Sequence, residues 1–161
     1  MAETEKLKFK VGLSGTHPDK QPAFGIYING DEKVHGDLTA SVNSTEYFEF
    51  EVDLTEGKHT LDIMLVNKKY GDTQLDENGN IINDLLLNID SIEIDDIDLG
   101  TLRWTASEYF PDYPPPYVRS YMSENKSPPP AIVKNCINLG WNGKWSLAFE
   151  SPFYIWLLEN L

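Results

Sequence analysis

The chain has 161 residues, 26 Asp and Glu against 13 Lys and Arg for a net charge of −13, and one cysteine. That length suits one ordinary domain, or a domain of about 100 residues with an extension. The acidity argues against a phosphate-backbone partner, which needs a basic footprint, and the lone Cys136 excludes a disulfide framework or a cysteine-based zinc site.

No run approaches the ~18 apolar residues of a membrane span. The start, MAETEKLKFK, is charged and lacks an apolar stretch, which predicts synthesis in the cytoplasm without a signal peptide. The charge is unevenly placed. Residues 1–100 carry 21 acids and 8 lysines, whereas residues 101–161 carry five acids and five bases. All four tryptophans (Trp104, Trp141, Trp145, Trp156) fall in the second part. An acidic body of this kind keeps a protein soluble by self-repulsion.

In chain order, Leu7, Phe9, Val11 and Leu13 alternate with Lys6, Lys8 and Lys10, the period-2 pattern of a strand whose lysines suit a sheet edge. Phe24, Ile26 and Ile28 form a second strand, closed by the hairpin signal Asn29-Gly30-Asp31. Val34 to Val42 is a weaker strand, interrupted by Gly36. Phe48, Phe50, Val52 and Leu54 then alternate with Glu49, Glu51 and Asp53. A turn at residues 55–58, with Gly57 available for positive φ, returns the chain through Leu61, Ile63 and Leu65 to Asn67. A polar loop from Lys68 to Asn83 leads into Leu85 to Leu99, rich in Leu and Ile and studded with acids. The pattern predicts an all-β fold, an antiparallel sandwich of the jelly-roll type over residues 1–105.

Past Thr101 the character changes. Leu102-Arg103-Trp104 reads as one more short strand. Residues 106–131 read as a strap: Pro111 to Pro130 holds seven of the ten prolines, with Tyr113, Tyr117 and Tyr121 among them, and extended conformations are expected. Residues 132–161 read as a hairpin plus a short docking helix. Cys136 to Trp141 and Lys144 to Phe149 flank Asn142-Gly143, a two-residue turn signal. Ser151 as cap and Pro152 at the first position open a helix over 153–161, with Phe153, Trp156, Leu157 and Leu161 on one face.

A helix of that length does not stand alone in water, so it docks. Aromatic anchors of this kind favour protein interfaces, which makes Trp141, Trp145, Phe153, Ile155, Trp156, Leu158 and Leu161 the expected contacts with other subunits. On this reading, deleting residues 150–161 leaves the sandwich folded and abolishes assembly.

For chemistry, no nucleophile elbow, phosphate loop or dinucleotide fingerprint is present, and the three histidines lack ligand spacing. Glu93, Asp95, Asp96 and Asp98 read as a solvated face rather than a glycosidase pair. No catalytic residue is expected, and no enzyme. The oxygen-rich loop offers Asp72, Asp76, Asn78, Asn80 and Asp84 as calcium ligands, since calcium takes 6–8 oxygens. Residues 76–80 resemble the first half of an EF-hand loop, but Leu87 stands where the last acid belongs. The alternative is that Asn78-Gly79 simply turns the chain.

One stretch carries a family resemblance. Strand, Gly turn, strand ending in Asn67, variable loop, then Asp84-x-x-Leu87-x-Ile89-Asp90-x-Ile92 resembles the calcium-dependent xylan-binding carbohydrate-binding modules. The match covers about residues 6–100. It implies a β-sandwich and a calcium and glycan site near the 72–84 loop. The family's second strand commonly ends Asn-Asp and its third opens Asp-Arg-Asn-Leu, whereas Lys68, Leu85 and Leu86 stand here. Two functions follow. One is a structural, adaptor or decoration module of a larger assembly, similar to accessory proteins of tailed-phage virions. The alternative is a calcium-dependent glycan-binding module. Neither reading has a nucleic-acid partner.

Overall fold

Alternating apolar residues take the chain into two packed sheets, as seen in a computed structural model that describes residues 3–161. Met1 and Ala2, the first residues of the expected sandwich module, lie outside the described residues. Strands β1 (Thr4–Gly15), β4 (Glu46–Thr55), β8 (Leu87–Ile94), β9 (Ile97–Asp98) and β12 (Asn138–Leu139) form the first sheet, in the order β12-β8-β1-β4 with β9 also on β8. The second holds β2 (Ala23–Ile28), β3 (Asp31–Asp37), β5 (Gly57–Leu65), β10 (Ser107–Pro111), β11 (Val133–Lys134) and β13 (Gly143–Ser151), in the order β11-β10-β13-β5-β2-β3. A separate small hairpin joins β6 (Gln74–Leu75) to β7 (Ile81–Asn83). Every pairing is antiparallel. The all-β antiparallel sandwich is what the chain adopts.

The core lies between the sheets. Phe9 of β1 meets Phe149 of β13 edge-on at 5.8 Å, and Phe24 of β2 meets Phe48 of β4 at 4.7 Å. Each such buried side chain contributes roughly 1.5–3 kcal/mol relative to exposure. Turns that the sequence marks are in place: Asn29 and Gly30 both take positive φ between β2 and β3, as a type I′ hairpin requires. Asp95 and Asp96 do the same between β8 and β9, so the acidic run is a hairpin turn, and the Lys8 N–H donates to Asp95 Oδ1 at 2.9 Å.

Several expectations are corrected. β1 is central rather than at an edge; its lysines lie across from Glu49, Glu51 and Asp53 on the edge strand β4. The turn at Gly57 joins β4 in one sheet to β5 in the other. The hairpin expected around Asn142-Gly143 does not form: β12 pairs with β8, whereas β13 pairs with β5 and β10. Gly143 is needed there for close approach, because its φ is +141° and a Cβ would lie 2.3 Å from the Phe110 carbonyl oxygen.

The Leu102 segment is helix α1 (Leu102–Thr105), not a strand. Within the proline-rich segment, residues 115–125 form helix α2 (Pro115–Asn125), because Pro115 sits in the first turn where a missing N–H costs nothing. Helix α3 (Phe153–Asn160) stands where it was expected. Its cap comes from β1: Glu5 Oε1 accepts from the Phe153 N–H at 2.7 Å and from Ser151 Oγ at 2.6 Å.

Candidate functional site

One end of the second sheet gathers three loops. Leu65, Gly143 and Pro111 lie side by side in register on β5, β13 and β10. The chain beyond Leu65, the chain before Gly143 and the chain after Pro111 therefore leave the sheet together. Asn142 ties the first two. Its Oδ1 accepts from the Lys68 N–H at 2.8 Å, and its Nδ2 donates to the Lys68 carbonyl at 3.0 Å. Tyr109, buried on β10, holds the neighbouring backbone: the Trp141 N–H donates to its hydroxyl at 3.0 Å, and that hydroxyl donates to the Trp141 carbonyl. Burial pushes the Tyr109 phenol far above its ordinary pKa, so the proton that makes the second bond stays in place.

On this frame stands an aromatic wall. Tyr113 stacks on Tyr117 at 5.4 Å, Tyr117 packs on Trp141 at 4.6 Å, and Tyr121 follows Tyr117 at 6.0 Å. Helix α2 aligns Tyr117 and Tyr121, since residues four apart share a helix face, and Tyr113 lies just before its start. Two adjoining hollows share Tyr70 and Trp141 as walls. The smaller, of about 190 Å³, includes Lys68, Asp112 and Tyr113; the larger, of about 340 Å³, includes Thr73, Asp84, Ile81 and Tyr117.

Between the hollows lies an ion pair. The Lys68 ammonium, on a side chain only 2% exposed, donates to Asp84 Oδ1 and sits 4.8 Å from the centre of the Trp141 ring. The same Asp84 oxygen accepts from Thr73 Oγ1 at 2.8 Å and from the Leu85 N–H at 2.9 Å. Aromatic faces beside convergent charged and hydroxyl groups are what a polar ligand with apolar ring faces requires.

The five candidate calcium ligands do not converge. Asp76 Oδ1 accepts from the N–H groups of Asn78 and Asn80, both at 2.9 Å, so this part of the loop is a turn closed on itself. Asp72 Oδ2 is taken by the Lys20 ammonium at 2.7 Å and the Lys69 N–H at 2.7 Å. Burial alone would raise the Asp72 carboxyl; those two bonds and the charge of Lys20 outweigh it and hold the group below its usual value. Asp84 is committed to Lys68. Among the described residues no cluster of three His, Cys, Asp or Glu side chains could hold a metal ion. The oxygens are present, but lysines occupy two of the three acids.

The seven expected interface residues also separate. Trp145 and Phe153 are fully buried and Trp156 nearly so, all in the chain's own core, so they are not available to a partner. This also corrects the deletion expectation, since removing residues 150–161 takes Phe153, Trp156 and Leu157 out of that core. Trp141 belongs to the cleft. Ile155, Leu158 and Leu161 point outward, 55%, 72% and 84% exposed.

A further groove of about 370 Å³ runs beside Asn29, His59 and Trp156. Two of its polar side chains are taken up by the fold: His59 bonds both Asn29 and the Thr55 carbonyl, and Asn29 Oδ1 accepts from the Thr60 N–H. Tyr70, Tyr117 and Lys68 are site residues that sequence reasoning did not assign. The spacing of Tyr117 and Tyr121, four apart, was the available signal for a helix that aligns them.

No protein-family model and no curated protein matches the sequence. Among solved structures, the chain is similar to vCBM60, described with a circular-permutation link between two families of calcium-dependent carbohydrate-binding modules. The identity is 11%, the TM-score 0.53, and the match covers 88% of this chain and 89% of that one. It is also similar to vCBM60 in complex with galactobiose, at 13% identity and a TM-score of 0.50, over 87% of this chain and 96% of that one. At such identities the likeness concerns the fold. The fold is an antiparallel β-sandwich like that of these carbohydrate-binding modules. No helix among the described residues is long and apolar enough to cross a membrane.

Proposed function

We propose that the chain is a non-catalytic glycan-binding module whose sugar platform is the cleft at Trp141. The observation that carries this reading is the pairing of ring faces (Tyr70, Tyr117, Trp141) with hydrogen-bonding groups (Lys68, Asp84, Thr73) around two adjoining hollows. Pyranose rings have one apolar face that stacks on aromatics and an equatorial rim of hydroxyls that needs donors and acceptors. The fold likeness to a module seen with galactobiose supports the same class of ligand.

Tryptophan fluorescence and calorimetric titration with galactobiose and with xylo-oligosaccharides test it. Saturable binding is expected, and Trp141→Ala should weaken it by about tenfold or more, a loss of roughly 1.4 kcal/mol. Its melting temperature should fall only modestly, because the ring is half-buried and Lys68 keeps its bond to Asp84. Absence of binding to both sugars, or binding untouched by Trp141→Ala, defeats the reading.

A second reading rests on the outward face of α3, where Tyr154, Ile155, Leu158 and Leu161 leave an apolar patch in water. There the chain is a structural subunit of a larger assembly, such as a virus particle, and α3 is its docking surface. Light scattering on the purified chain and on Ile155→Ser with Leu158→Ser tests it: self-association or partner capture lost in the double variant supports it, and behaviour identical to the parent sinks it.

A further inference from the structure

Lys68 is the buried lysine of the described residues, and burying an ammonium is costly unless it is paired and hydrogen-bonded. Here the cost is met on two sides: Asp84 accepts from it and the Trp141 ring lies under it at 4.8 Å. Asn142 fixes the residue's backbone by two bonds. The arrangement lies outside the sandwich core, at the floor of the cleft. A positive centre beside Asp84 and Thr73 is what a divalent cation would supply in a site built from oxygens: charge to neutralise the carboxylate, and a point of attraction for ligand hydroxyls. An ion bound at Asp84 would have to displace the ammonium first. Lys20 treats Asp72 in the same way, with a further bond to the Asn67 carbonyl at 2.7 Å.

We infer that Lys68 is a built-in cation: its ammonium does the work of a bound metal at the cleft floor, so folding and ligand binding at this site are independent of calcium. The ligand half of this statement rests on the glycan reading above; the folding half does not.

Thermal unfolding in millimolar EDTA and in millimolar calcium tests the folding half without any sugar. A calcium site filled at 100 times its Kd would raise the melting temperature of a chain this size by about 5–10 °C. The expected difference is under about 1 °C, with no terbium emission sensitised by Trp141. Lys68→Met keeps the unbranched stem as far as Cε, removes the ammonium and strands Asp84, and should lower the melting temperature by roughly 5–15 °C. Adding Asp84→Asn should recover most of that loss. If Lys68→Met does not fold, the parent in EDTA and calcium together with the double variant decides the matter.

In titrations with galactobiose, affinity should be equal in EDTA and calcium, and the double variant should regain stability without regaining affinity. A parent chain stabilised by calcium, sensitised terbium emission, or a Lys68→Met chain as stable as the parent would overturn the inference. Failure of the glycan reading shows separately, as no galactobiose binding with the thermal results intact.

Discussion

Trp141 and Trp145 stand four residues apart and live in opposite environments. Trp145 lies on β13, laddered to β5 on one side and β10 on the other, and is fully buried with its indole N–H donating to the Cys136 carbonyl at 3.0 Å. Trp141 lies just before that strand. Its backbone is held by the Tyr109 hydroxyl instead of a neighbouring strand, and its ring is half-buried against Tyr117. The same contrast runs through the last third of the chain. Phe149, Phe153 and Trp156 join the core, whereas Tyr113 and Tyr117 line a cleft. Ring chemistry is common to both groups. What separates them is whether the element that carries them packs on the core, as β13 and the helix α3 docked on it do, or lies beyond the sheet's end, as Tyr113 and helix α2 do.

The comparison is broken most severely at its buried member. Trp145→Ala empties the centre of the second sheet and should cost about 3–5 kcal/mol in urea unfolding, with ligand binding lost along with the fold. Should Trp145→Ala prove as stable as Trp141→Ala, the two residues would not differ as described. Tyr109→Phe tests the strut between the two regions. It leaves the Trp141 N–H and carbonyl without their partner at a cost of about 1–3 kcal/mol, and should loosen the cleft as well as lower the melting temperature. A loss of stability with ligand binding unchanged would show that Trp141 is held by other means.

A smaller effect appears with acid. The Asp72 carboxyl titrates below its ordinary value of 3.8 in the folded chain. Its stabilising contribution is therefore complete above that value and is lost as the pH falls below it. Lys20→Met should remove this part of the acid limb, worth a few tenths to about 1 kcal/mol for a partly exposed pair. A Lys20→Met chain that loses as much stability on acidification as the parent would assign the limb to other carboxylates. The smallest effect is expected on the outer face of α3. Leu158→Ser should change stability by no more than about 0.5 kcal/mol, since that side chain is 72% exposed; a larger loss in thermal unfolding would mean that the face is covered in the chain's own fold.

Much of the sandwich was legible because its signals are local. Leu7, Phe9, Val11 and Leu13 alternate and are all fully buried. Even the irregularity of β8 can be read: Ile89 and Ile92 are three apart rather than two, and the ladder with β1 shifts register at that point. Helix α3 was marked by proline followed by an apolar run. The cleft was legible only in pieces. Tyr113, Tyr117 and Tyr121 carried a helical spacing inside a proline-rich segment, and the prolines outweighed it in the reading. Lys68 was visible only as a departure from the resembled family's pattern, with no sign that its ammonium would reach Asp84, sixteen residues on.

By itself, then, the sequence determined the main alternating strands of the sandwich, most of its turns, which faces of those strands are apolar, and that the last helix must dock. Those properties depend on neighbours within a few positions, where backbone sterics and side-chain alternation act. Which strand joins which sheet was decided by the tertiary structure alone. Gly57 and Gly143 both look like hairpin turns, yet each carries the chain from one sheet to the other, because a tight turn specifies a reversal and not the strand that will be hydrogen-bonded afterwards. The cleft depends on the same long-range choice. Only the pairing of β13 with both β5 and β10 brings Lys68, Trp141 and Tyr113 to one end of the sheet. The pairing of Lys68 with Asp84, which sets the charge at the cleft floor, exists only once that end has been assembled.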